Sequence, residues 1–150
     1  MTEATAAEIE LVETSFARIE PNLVYFTGSF YERLFETTPE LAALSADATM
    51  FTRTQKIASA LSLTVDHLSR TEATALALRD LGALHWRTGT QDWHYPLVRA
   101  ALIETLAAWC APNWSSEHER AWGKVLSEVS ARMIEGAHHA GSGRRQAGGS

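Results

Sequence analysis

Residues 78–89, LRDLGALHWRTG, read as the end of a helix that carries His85 on the face of Leu78 and Leu81. A neutral imidazole on an apolar wall can lend one ring nitrogen to a metal, provided an acceptor fixes its other nitrogen. The same placement also suits a packed, hydrogen-bonded core histidine, and the residue alone leaves both readings open. Tyr31 is the second polar group on an apolar face, among Leu23, Phe26, Phe30, Leu34 and Phe35. Taken by itself it reads as a core tyrosine whose hydroxyl finds a backbone carbonyl. His138 and His139 are adjacent and lack the i, i+4 spacing that puts two ligands on one helix face.

The elements that must position these groups are helices. Ile9, Val12, Phe16 and Ile19 recur at steps of three and four, which predicts a helix over residues 4–19. Pro21 fits the first turn of a second helix, whose apolar face is unusually aromatic. Gly28 inside it suggests a close crossing with another helix. A short turn, Pro39 to Leu44, is followed by a small polar loop, residues 45–49. From Met50 a long helix carries the stripe Arg53, Ile57, Leu61, Thr64 with Val65, and Leu68. Another runs from Glu72 to Thr88 and stops at Gly89. Residues 91–96 turn a corner into a helix expected to point Val98, Leu102, Leu106 and Trp109 inward. Ser116 and Glu119 match a capping box, and Trp122, Val125, Leu126, Val129 and Met133 line the last helix. The glycine-rich end, residues 140–150, is expected to be disordered, leaving residues 1–139 as one domain. No segment alternates like a strand, so the fold class is all-α, with about six to seven helices.

Composition narrows the partners. A chain of 150 residues buries one sizeable core. The net charge of −5 argues against nucleic acid as a partner, because phosphates want a basic patch. No apolar run approaches the ~20 residues that span a bilayer. The acidic start MTEATAAEIELVE does not read as a secretory leader, and a cytoplasmic location is the expectation. Cys110 stands alone, which excludes an internal disulfide, a Cys-x-x-Cys-His haem attachment and a thiolate zinc cluster.

Three segments together carry a resemblance. They are residues 30–35, FYERLF, with Pro39-Glu40-Leu41; residues 81–85, LGALH, with Gly89 and residues 94–98, HYPLV; and Ala121-Trp122-Gly123-Lys124. In order and spacing, over about residues 5 to 137, the chain resembles bacterial single-domain globins related to the haem domain of flavohaemoglobins. The resemblance implies a globin fold around haem b (iron protoporphyrin IX), with His85 as the proximal iron ligand. It implies Tyr31 as a distal hydroxyl that donates to bound dioxygen. Leu81, Leu84, Tyr95 and Val98 join the expected haem contacts. For the distal gate, direct spacing from Tyr31 points to Gln55, whereas periodicity favours Arg53, which places Ile57 above the haem. Trp86 and Trp93 flank the corner, and Arg87 and His94 are candidates for the haem propionates.

The chain also departs from that pattern. The phenylalanine expected to pack on the haem is replaced by Ser45 or a neighbour, and Phe51 is the candidate to fill the space from the next helix. Tyr95 is present, but its partner positions in the family's proximal network hold Leu126 and Ala137, with Glu135 about 200° off that face. The expected function is reversible binding of dioxygen, nitric oxide or carbon monoxide, as in oxygen transport. The alternative is a globin-type enzyme, for nitric oxide detoxification or small-substrate oxidation, served by a separate reductase. A sensor or a haem-free globin fold is a third reading, and the proximal histidine disfavours its haem-free form.

Overall fold

The computed structural model describes residues 4–45, 48–69 and 71–148. Six α-helices and two 3₁₀ segments account for its regular structure, and no strand occurs among the described residues. The helices are α1 (Ala6–Ile19), α2 (Leu23–Thr37), α3 (Met50–His67), α4 (Glu72–Arg87), α5 (His94–Cys110) and α6 (Ser116–Gly148). The 3₁₀ segments are Glu20–Asn22, which contains Pro21, and Pro39–Ser45. The all-α expectation holds, at the lower end of the helix number.

Side-chain caps define three of the starts. Thr5 and Glu8 form a reciprocal capping box, with Glu8 N–H donating to Thr5 Oγ1 at 3.1 Å and Thr5 N–H to Glu8 Oε1 at 2.8 Å. Thr49 and Thr71 accept from Thr52 N–H at 3.1 Å and Thr74 N–H at 3.2 Å, opening α3 and α4. Gly89, at φ 107°, takes the left-handed turn that ends α4. At α6 the expected Ser116–Glu119 box is displaced by one residue. Ser115 precedes the helix, its hydroxyl lies 2.9 Å from His118 Nδ1, and its carbonyl accepts from Glu119 N–H at 3.2 Å. An imidazole three residues on thus takes the place of the expected carboxylate.

The core runs through the middle of the helices. Val12, Phe26, Leu78, Leu106, Trp122 and Val125 are fully buried. Trp122 Nε1 donates to the buried Ser15 hydroxyl at 2.8 Å, fastening α6 to α1. His67, buried near the end of α3, meets Glu128 of α6 at 2.9 Å.

The closest helix approach is between α4 and α6. A Cβ built on Gly82 would lie 1.9 Å from the Met133 carbonyl oxygen, and one on Gly136 would lie 1.9 Å from that of Arg79. Each helix therefore contributes a glycine that lets the other's backbone in. Gly28, where a close crossing was expected, is not such a place. A Cβ there would meet only the flexible end of Met50, at 3.8 Å.

One further expectation is corrected. Trp109 is 37% exposed, edge-on to Phe26 at 6.3 Å, because it sits on the flank of α5 rather than on its inner face. α6 runs on to Gly148. Once a helix is nucleated, each added residue gains one backbone hydrogen bond, and Ala, Gln and Arg in the final segment are good helix formers. Among the described residues no helix is long and apolar enough to cross a membrane.

Candidate functional site

α2, α3, α4, α5 and α6 surround one cavity, which encloses about 1170 Å³ of space not filled by protein atoms, its open mouth included. Tyr31, Ile57, His85, Tyr95 and Val98 all line it. Residues more than sixty positions apart in the chain therefore converge, as the periodicity of each helix requires.

His85 sits in the last turn of α4. Its Nδ1 lies 2.8 Å from the carbonyl oxygen of Leu81. A carbonyl only accepts, so Nδ1 carries the hydrogen and Nε2 keeps its lone pair for the cavity. Burial holds the imidazole below its ordinary pKa, the Leu81 hydrogen bond works against that shift, and the nearby Lys56 charge adds to it. The ring is thus neutral and fixed in one tautomer, the state that a metal ligand needs. Leu81 contributes through this carbonyl; its side chain packs against the core and does not line the cavity.

Tyr31 comes from α2 and borders the cavity with Phe30. Phe30 stands edge-on to it at 5.0 Å and Phe35 is tilted against it at 5.5 Å. Burial raises the pKa of its hydroxyl, and the charge of Arg53 partly offsets this. The hydroxyl therefore keeps its proton and can only act as a neutral donor or acceptor at neutral pH.

α3 settles in the register that points Ile57 into the cavity, with Gln55 exposed on the other side. Arg53 shares the inner side but stops short of the cavity, its guanidinium lying over the Tyr31 ring at 5.0 Å and over Phe35 at 5.4 Å. Phe51 is 71% exposed and Leu84 is 52% exposed, and neither lines the cavity. Both follow from helix geometry. Phe51 is six residues from Ile57, about 120° away around the axis, and Leu84 is about 100° from His85. The Ser45 side chain lies outside the described residues.

Tyr95 opens α5 and is buried, with a hydroxyl that has no hydrogen-bond partner among the described residues. Burial, with the Asp92 charge, pushes its pKa up to about 12. Leu126 lines the cavity close by and Ala137 is buried, so neither supplies a polar partner. Glu135 faces elsewhere, bonded to Arg79 at 3.2 Å and to Arg132. His94 lines the cavity and is held by a hydrogen bond from Gln91 N–H to its Nδ1 at 2.9 Å. Arg87 is exposed and lies off the cavity, as do Trp86 and Trp93.

Sequence reasoning passed over Lys56 and Arg99, the two cations of the cavity wall. Each directly adjoins an expected cavity residue, Ile57 or Val98, and that adjacency was the available signal. No carboxylate is among the described lining residues. Nor does any group of three or more His, Cys, Asp or Glu among the described residues have the placement to hold a metal ion unaided. The site offers two imidazoles, two phenols and two cations on an otherwise largely aliphatic surface.

Comparison with known proteins is consistent across sequence and fold. The globin family model matches residues 28–133. An anaerobic nitrite reductase, HBII, of Casuarina glauca is 26% identical over 144 residues, covering 86% of this chain and 89% of its own length. Leghemoglobin 3 of Sesbania rostrata is 25% identical over 140 residues, covering 86% and 95%. Among solved structures, a hexacoordinated heme protein from an anhydrobiotic tardigrade superposes with a TM-score of 0.77 at 16% identity, covering 89% of this chain and 95% of that one. These two sequence relatives are plant proteins. They support the globin assignment and give no support to the narrower tie to bacterial flavohaemoglobins.

Proposed function

The chain belongs to the globin family, and from that premise we propose that it is a haem b globin that reversibly binds dioxygen or another diatomic gas. The observation that carries this reading is the His85 ring: neutral, fixed by the Leu81 carbonyl at 2.8 Å, and presented to a mostly apolar cavity. The rest of the wall fits the same group. Haem b is a flat apolar macrocycle with two carboxylate arms, and the wall offers Lys56 and Arg99 without an opposing carboxylate. His85 would hold the iron, Ile57, Val98 and Leu102 would pack on the macrocycle, and Lys56 and Arg99 would meet the carboxylate arms. When bound, haem would supply a ferrous iron able to take up a small diatomic ligand.

The residues of the chain divide the remaining work. The Leu81 carbonyl orients His85 and selects its tautomer. Tyr31 supplies a hydroxyl that donates to a polar diatomic ligand, a contact worth about 1.5–3 kcal/mol when the acceptor gains charge. The aliphatic wall keeps bulk water away and so favours reversible binding over oxidation of the metal. His85 donates its Nδ1–H to a backbone carbonyl rather than to a carboxylate. It is therefore a weaker electron donor than a carboxylate-paired imidazole. This argues for gas binding ahead of the nitric oxide dioxygenase activity that the flavohaemoglobin resemblance implies.

A second reading is favoured by the names of two plant relatives, both anaerobic nitrite reductases, and by the two cavity cations, which suit an anion. Nitrite or nitric oxide turnover at this site requires electrons from a separate reductase. Absorption spectra of the purified protein, reduced with and without carbon monoxide, test the main reading. It predicts haem bands that shift on adding the gas. Bands that carbon monoxide leaves unchanged contradict an open axial position, and their loss in His85→Ala assigns the ligand.

A further inference from the structure

Arg53 holds the register expected of a gate residue, yet it does not border the cavity. Its guanidinium carbon lies 5.0 Å from the centre of the Tyr31 ring and 5.4 Å from that of Phe35. The other two rings around Tyr31, Phe30 and Phe35, belong to the same helix, α2, and move with it. Arg53 reaches this ring from α3, across the helix pair that bounds the distal side of the cavity. A planar cation spread over two tilted rings fixes their mutual orientation in a way that a point charge such as lysine does less well.

We propose that Arg53 is a positioning residue for Tyr31. It sets the ring's orientation from behind and strengthens its hydroxyl as a donor to a small ligand in the cavity. This rests on the reading of Tyr31 as the cavity's donor. The electrostatics agree: burial raises the Tyr31 pKa and the Arg53 charge lowers it, so the cation makes the O–H more acidic and a better donor. Lys56 of α3 and His85 of α4 border the same cavity, but Arg53 is the charge in contact with the ring.

The test joins a double-mutant cycle on dioxygen release to a second readout that does not need haem. Arg53→Met is expected to speed dioxygen release about two- to tenfold, the range of a partly buried cation–π contact. Arg53→Lys should recover part of that loss. The double variant Arg53→Met/Tyr31→Phe should release no faster than Tyr31→Phe alone. In the haem-free protein carrying ¹³C-labelled tyrosine, the Tyr31 resonance, assigned by its absence from Tyr31→Phe, should titrate at higher pH in Arg53→Met than in wild type. Additive rate effects, or an unmoved Tyr31 titration, overturn the proposal. A protein that takes up no haem defeats the functional reading above, while the titration still decides whether Arg53 controls Tyr31.

Discussion

At the scale of single residues, the account rests on four polar groups of the cavity wall, His85, His94, Tyr31 and Tyr95. His85 is kept neutral, and so is His94, both by burial below the ordinary value of 6.5. The sign of the consequence follows from proton counting. A histidine whose native pKa is depressed binds fewer protons folded than unfolded, so its contribution is complete above 6.5 and declines as pH falls toward the depressed value. Urea midpoints of the haem-free protein should fall between about pH 7.5 and pH 5.5, and His85→Gln should flatten part of that fall. An equal slope in the variant would remove His85 from the titrating set. Tyr31→Phe should speed dioxygen release by about one order of magnitude, measured by stopped-flow displacement, if its hydroxyl donates as proposed. Tyr95 is the opposite case, a buried hydroxyl with no partner among the described residues. Tyr95→Phe should therefore stabilise the haem-free protein by about 1 kcal/mol. Destabilisation would mean that the hydroxyl is satisfied in solution. The sequence made His85 and Tyr31 legible because each sits on a strongly apolar helix face. It hid Lys56 and Arg99, since a cation beside an apolar stripe looks the same whether it edges a cavity or meets solvent. Leu84 and Phe51 match by motif position, while the 100° step per residue turns both away from the cavity.

At the scale of elements, the α4–α6 crossing positions the imidazole. Gly82 lies three residues before His85 and admits the Met133 backbone, while Gly136 admits that of Arg79. An alanine methyl at Gly82 would collide with a carbonyl, which unlike a flexible side-chain end cannot swing aside. Gly82→Ala should cost about 3 kcal/mol or more in stability, the upper end of overpacking. It should also weaken haem retention by tilting α4. Normal stability and normal spectra in that variant would show that α4 does not depend on this contact. Gly28→Ala, by contrast, meets only ordinary contact with Met50 and should gain up to about 1 kcal/mol from helix propensity. The helices themselves were readable, because a period of 3.6 recurs in most of them, although α5 is apolar on nearly every side. Which glycine marks a close crossing was not, since that depends on where a partner backbone lies.

At the scale of the whole molecule, an acidic chain of net charge −5 carries a cavity whose fixed charges are cationic. That inversion is what an anionic, mostly apolar prosthetic group requires, and its insertion should stabilise the fold by mass action. The most direct measurement is therefore a titration of the haem-free protein with hemin, followed by visible absorption and by the unfolding midpoint in the same samples. The account predicts saturation at one equivalent, a sharp Soret band and a raised midpoint, all lost in His85→Ala. A folded protein that leaves hemin unbound, or binds it identically with alanine at position 85, would contradict it.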